Sequence, residues 1–177
     1  MDKGEFNMKK VASTILSVAI VLSVVFGVSG CSRKPKDWYV SSLEYYRNGI
    51  KNGFTEEYRQ LNVTDDLKDS YNDPGYMLYD LDGDGIDELL IGLISDGTYT
   101  KFTNVVVYHS DLGPYCLLSG GNGYYIYLCA GNVLRVDSWY GSQTKSEYMK
   151  WNSKVNAFNV IEGEGKYMPM KWELTEF

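Results

Sequence analysis

Apolar residues recur along the chain with two different periods. Trp38, Leu43, Tyr46 and Ile50 fall roughly on one face at helical spacing, which predicts an amphipathic helix, and Gly49 and Gly53 weaken any long continuation of it. Thr55-Glu56-Glu57-Tyr58 reads as an N-cap with acids in the first turn of a second short helix reaching about Leu61. Asn62 to Asn72 is polar and acidic and predicts a loop. From Tyr76 the period becomes two. Leu89-Leu90-Ile91, Thr98–Tyr108, Tyr115–Leu118, Tyr124–Cys129, Val133–Tyr140, Glu147–Trp151 and Ala157–Ile161 read as strands, with Lys166–Leu174 as a last one. Turn signals separate them: Ser95-Asp96-Gly97, Gly120-Gly121-Asn122-Gly123, Ala130-Gly131-Asn132, Gly141-Ser142 and Asn152-Ser153. The predicted fold is α+β, a short N-terminal helical segment packed on an antiparallel β-meander, with residues 38–177 as a single domain. There is no period of 20–50 residues, so no solenoid or propeller is expected.

Ahead of this domain the pattern differs. Val11 to Val28 is an uncharged run of 18 residues preceded by Lys9 and Lys10, the n-region and h-region of a secretory signal. It is also just long enough to span a bilayer, so a transmembrane anchor is the competing reading. The run ends in Val28-Ser29-Gly30-Cys31, small residues before a cysteine, and this resembles a bacterial lipobox. The resemblance implies a signal peptide over 1–30, cleavage before Cys31, and lipidation of Cys31. Residues 31–37 then form the lipidated cysteine and its polar tether. The expected location is extracytoplasmic, lipid-anchored to the bacterial cell membrane. One acyl chain binds only marginally, so stable anchoring takes several.

Charge narrows the partners. The 177 residues carry a net charge of −6 with a pI near 4.8. Residues 1–30 hold three lysines against two acids, which leaves −7 on 31–177. An acidic domain without a clustered basic face excludes nucleic acid as a partner.

The strongest chemical signal is Asp80-Leu81-Asp82-Gly83-Asp84-Gly85-Ile86-Asp87-Glu88. Carboxylates at alternate positions of a curled loop point inward together, and calcium, a hard cation, takes six to eight such oxygens. Gly85 at the sixth position permits the sharp turn. Ile86 at the seventh supplies a backbone carbonyl, which frees its side chain to be apolar. The twelfth position, where an EF-hand closes with a bidentate glutamate, is Ile91 and cannot ligate; a strand rather than a helix follows. Magnesium suits the loop less well because it demands tight octahedral geometry.

Asp80–Gly92 resembles the calcium loop of the FG-GAP repeats of integrin α-subunits, with acids at positions one, three, five and nine. That resemblance implies Asp80, Asp82, Asp84, the Ile86 carbonyl and Glu88 as ligands and leaves Asp87 outside the set. It covers a single copy, whereas a propeller needs several, so the fold does not carry over. More widely, the lipobox, the helical segment, this loop and a Tyr/Gly-rich meander are similar to uncharacterised bacterial lipoproteins with an FG-GAP-like or EF-hand-like loop, which implies no assigned activity.

Other chemistry is sparse. His109 is the sole histidine, so a histidine zinc site or a charge-relay triad lacks partners. Cys116 and Cys129 are diagonal neighbours if 120–123 closes a hairpin and directly opposite if the loop has six residues, so both free thiols and a disulfide stay open. The 16 tyrosines and 4 tryptophans fill a β-core on one reading. On the other, Tyr124, Tyr127, Trp139 and Tyr140 make an exposed row that stacks on a glycan or protein ligand. The expected function is a calcium-binding cell-surface lipoprotein serving as a binding module, the ion being structural and no catalytic residue assigned. The alternative is an envelope-associated glycan- or peptidoglycan-active enzyme.

Overall fold

The computed structural model describes residues 37–55, 61–95, 97–109, 111–121 and 123–177. The expected signal peptide, Cys31 and most of the predicted helix after Thr55 lie outside the described residues. No helix among those described is long and apolar enough to cross a membrane.

A 3-10 turn, Asp37–Tyr39, leads into α1, Val40–Asn52. Tyr39, Leu43, Tyr46 and the half-buried Ile50 make its core stripe. Tyr39, not Trp38, takes the inward place at the start. Trp38 lies in the turn, off the helix stripe, and stacks flat on Tyr108 with ring centroids 4.7 Å apart. Gly49 does not end the helix. It makes room for Phe54, whose ring would lie 2.2 Å from a Cβ at that position. The end comes at Gly53, with φ of 91° and its N–H donating to the Gly49 carbonyl. Within the predicted loop Asn62–Asn72, a four-residue helix α2, Asp65–Lys68, buries Leu67. One apolar residue among acids leaves no period to read.

The strands are β1 Asp73–Tyr79, β2 Glu88–Ile94, β3 Lys101–His109, β4 Gly113–Ser119, β5 Tyr124–Cys129, β6 Val133–Tyr140, β7 Gln143–Asn152, β8 Ala157–Ile161 and β9 Thr175–Glu176. They form one antiparallel sheet in the order β8-β7-β6-β5-β3-β2-β1-β9, with β4 also paired to β3. The fold is thus α+β, with the meander expected, but with two departures.

The first is at β4 and β5, which share no ladder. Residues 104–109 of β3 pair with β4, while Phe102 of the same strand pairs with Ile126 of β5. The turn after Ser119 bends the chain along one edge of β3, with Gly120 N–H donating to the Thr103 carbonyl at 2.7 Å. Cys116 therefore pairs with Val106 and Cys129 with Val133, in separate clusters, and both thiols are free. The second departure is 166–174, which is not a strand. Pro169 lacks an N–H, and the segment crosses the sheet by single bonds, among them Met170 N–H to the Leu128 carbonyl and Trp172 Nε1–H to the same carbonyl. Only Thr175 and Glu176 then pair with β1.

Strand alternation separates two cores. Leu89, Ile91 and Leu93 of β2 pack under α1, with Tyr39, Leu43 and Tyr46. Leu90 of the same strand faces the other way, into a core with Leu81, Phe102, Ile126, Leu134, Met149 and Trp151. Strands β2 and β7 are four places apart in the sheet yet share that core, so the sheet curls on itself. The curl brings the β5–β6 and β7–β8 turns to the loop between β1 and β2.

Tyr39, Tyr46, Phe102 and Trp151 are buried in these cores. Tyr124, Tyr127 and Trp139 do not line up in the exposed row expected of them, and the side chain of Tyr140, the fourth residue of that row, lies outside the described residues. Tyr124 and Trp139 are exposed, but the register pairs Tyr124 with Ser138 and Tyr127 with Arg135, placing Tyr124 on the face opposite Tyr127 and Trp139. Tyr127 is half-buried, edge-on to Tyr99.

Candidate metal centre

The last pair of the β1–β2 hairpin is Tyr79 with Glu88, so residues 80–87 are its loop. Asp80 is the hub. Its Oδ1 accepts the N–H of Gly83 at 2.8 Å and of Asp84 at 3.1 Å, and its Oδ2 accepts that of Gly85 at 2.8 Å. Asp84 Oδ1 accepts the Ile86 N–H at 2.7 Å. To turn these amides inward, the chain adopts φ of 80° at Gly83 and 86° at Gly85, a region that L side chains resist. The alternating polar spacing then has its effect: one carboxylate oxygen each from Asp80, Asp82 and Asp84 lie within 4.8 Å of one another. This group can hold a metal ion, and its donors are all hard oxygens.

The other residues of the motif sit differently. Glu88 is not in the converging group. It is 4% exposed, and its Oε2 accepts the Leu81 N–H at 2.8 Å. Burial pushes its carboxyl up to about 8, against the Leu81 N–H, with the charges of Asp82, Asp84 and Asp80 adding to the rise. Asp87 is buried and also outside the group. The Ile86 side chain is exposed. Beneath the loop the Tyr39 phenol is fully buried. Burial, then the charges of Glu88 and Asp87, raise its ionisation well above the ordinary value.

Two residues that sequence reasoning missed grip the loop from outside. Asn132, with φ of 59° in the β5–β6 turn, donates to the Asp80 carbonyl at 3.1 Å and accepts the Tyr79 hydroxyl at 2.8 Å. Ser153, in the β7–β8 turn, donates to Asp82 Oδ2 from its N–H at 2.8 Å and from its hydroxyl at 2.5 Å; the hydroxyl is also 3.2 Å from Asp84 Oδ2. Burial raises the Asp82 carboxyl, but the Ser153 hydroxyl and amide together with the Asp84 N–H outweigh it and hold it below the ordinary value. Both positions lie in turns the sequence marks. Their destination depends on the curl of the sheet, which no local signal carries.

His109 ends β3, where its Nδ1 accepts the Asp111 N–H. A shallow groove of about 400 Å³ beside β7 and β8 is lined by Glu147, Glu162, Glu164 and Lys166, among others. Among the described residues, Asp80, Asp82 and Asp84 are the one acidic group close enough to share an ion. No family model, no curated protein and no solved structure matches the chain.

Proposed function

We propose that the chain is a calcium-binding, extracytoplasmic lipoprotein, anchored through Cys31, whose ion stabilises a binding module for a glycan or protein ligand. The observation that carries this reading is the convergence of Asp80, Asp82 and Asp84 in a loop held by turns from the far half of the sheet. Three carboxylates so placed repel one another at neutral pH, and a divalent cation removes that cost. An all-oxygen donor set in an irregular loop suits calcium better than magnesium. The Ile86 carbonyl and Glu88 complete the proposed ligand set, Glu88 by turning from the Leu81 amide. The ion is read as structural because the contacts around the loop, Asn132 to the Asp80 carbonyl and Ser153 to Asp82, tie it to other turns of the sheet.

The test is calorimetry and thermal unfolding of the full chain in detergent, in calcium, in magnesium and in chelator. Extracellular calcium sites bind with dissociation constants of roughly 0.1–1 mM. At ten times that constant the ion stabilises the fold by about 1.4 kcal/mol, which raises Tm by roughly 3–6 °C. Identical melting in calcium and chelator, with no heat of binding, refutes the calcium reading. For the anchor, Cys31→Ala is expected to abolish acyl labelling; normal labelling of that variant refutes it. Screening against polysaccharides, with binding and hydrolysis both read, separates the binding module from the envelope enzyme.

A further inference from the structure

The chain enters its folded domain at an exposed aromatic pair. In the 3-10 turn Asp37–Tyr39 the inward place belongs to Tyr39, which leaves Trp38 off the core. Strand β3 supplies the partner. Val106 shares the core under α1 with Tyr39 and Leu43, and Tyr108, two residues on, has the same parity and continues that face past the start of the helix. Trp38 lies on Tyr108 there, its ring 16° from parallel. The β3–β4 hairpin closes just beyond, with Tyr108 opposite Pro114 and His109 opposite Gly113. Leu112 stands in that turn, its N–H donating to the His109 carbonyl at 3.2 Å. One end of the sheet thus presents a tryptophan, a tyrosine and a leucine, 37%, 37% and 64% exposed.

What sets this group apart from other exposed apolar residues is its place in the chain. Cys31 lies seven residues before Trp38. Fully extended, such a segment spans at most about 25 Å, so a lipidated Cys31 keeps this end of the domain within that distance of the bilayer. Charge permits the approach. Arg33, Lys34 and Lys36 of the tether outnumber Asp37 and Asp111 beside the patch, and basic residues next to an anchor are drawn to anionic headgroups. Tryptophan and tyrosine are the side chains that settle at headgroup depth, with the ring in the apolar zone and the N–H or O–H in the wet one. A protein partner fits less well. Three side chains, two of them more than half covered, fall far short of the roughly 800 Å² per partner that a stable interface takes, whereas a bilayer asks for no complementary shape.

We propose that Trp38, Tyr108 and Leu112 seat this end of the domain in the headgroup region of the membrane that carries its anchor. This rests on the lipidation of Cys31. The β3–β4 turn then points at the bilayer, and the apolar contact adds a second attachment to the acyl chains, of the kind that a single chain needs for lasting binding.

The experiment reconstitutes the lipidated protein in vesicles of phosphatidylcholine and phosphatidylglycerol, with acyl chains plain or brominated near the headgroup, and reads tryptophan fluorescence. The natural protein, Trp38→Phe and Leu112→Asp are compared. Trp151 is buried, Trp172 half-buried and Trp139 exposed elsewhere on the sheet, so Trp38 is the tryptophan that bromine should reach. Brominated lipid is expected to quench the natural protein, and Trp38→Phe to lose most of that quenching. Leu112→Asp, which sets a charge in the patch, should cut it by about half or more. Equal fluorescence in plain and brominated vesicles overturns the proposal, and so does quenching that survives Trp38→Phe. Shielding of Trp38 from aqueous acrylamide without quenching by bromine means that protein covers the patch, and overturns it as well. Should Trp38→Phe fail to fold, Leu112→Asp in its exposed turn decides, and quenching that it leaves unchanged overturns the patch. A chain that takes no acyl label at Cys31 refutes the anchor reading, and this inference with it. A labelled chain whose Trp38 stays unquenched refutes this inference alone.

Discussion

Gly85 and Asp80 show how single residues build the loop. A Cβ at Gly85 would meet nothing within 4 Å, so what a side chain costs there is conformational and not steric. Residues other than glycine pay roughly 1–3 kcal/mol in such a region, β-branched ones most. Gly85→Val is therefore expected to abolish calcium stabilisation without removing a ligand, while Gly85→Asn, which tolerates positive φ, retains most of it. Asp80→Ala removes the acceptor for the Gly83, Asp84 and Gly85 amides as well as a candidate ligand, and should lose the whole calcium-dependent rise in Tm. Asp82→Asn keeps an amide oxygen and should retain part of it. Melting curves in calcium and chelator check all four; equal calcium responses in Gly85→Val and the natural protein would refute the backbone argument. The alternating acids and Gly85 were legible because the loop's curl is local. Ser153 and Asn132 were not, because a residue in a turn looks the same whether it faces solvent or, as Ser153 does, a carboxylate 71 residues away, or, as Asn132 does, a main-chain carbonyl 52 residues away.

At the scale of elements, periodicity carried far because alternation is imposed by burial. The bounds of β5, β6 and β8 follow from the sequence to the residue. What failed were pairings. Tyr115–Leu118 and Tyr124–Cys129 look like a hairpin since a Gly-rich turn joins them, but nothing local says that β3 is long enough to receive both on one edge. The 166–174 segment has strand-like composition, yet Pro169 and its bonds to Leu128 make it a strap. Strand β2 shows what the pairing achieves. Both its faces are buried, so truncation anywhere along Leu89–Ile91 opens a cavity in one core or the other. Leu90→Ala is expected to destabilise by about 2–5 kcal/mol, whereas Val160→Ala on the edge strand β8, where Val160 is 72% exposed, should stay within about 0.5 kcal/mol. Denaturant midpoints of the two variants test this; comparable losses would mean that the core drawn through β2 is wrong.

For the whole molecule, Glu88 is expected to make stability fall as pH rises, opposite to the trend an ordinary carboxylate gives. Most carboxylates in folded proteins are easier to ionise than in the unfolded chain and stabilise the fold as pH rises; Asp82 is one of these, its contribution present above 3.8 and lost as pH falls. Glu88 runs the other way. Its folded carboxyl titrates at about 8 against 4.5 when unfolded, so between those values the unfolded chain releases a proton that the fold retains. Its contribution is full below about 4.5 and drains away as pH climbs toward 8. In chelator, the Tm of the full chain is expected to be higher near pH 5 than near pH 8. Glu88→Gln, which cannot titrate, should flatten that slope and melt above the natural protein at pH 8. Calcium should flatten it too, since an ion in the loop offsets the charges of Asp80, Asp82 and Asp84 that help keep Glu88 protonated, and uptake near pH 7 should release a proton measurable as a buffer-dependent heat. A slope in chelator that Glu88→Gln leaves intact would assign the effect to the net charge of −6 spread over the surface, and would remove Glu88 from the account of the site.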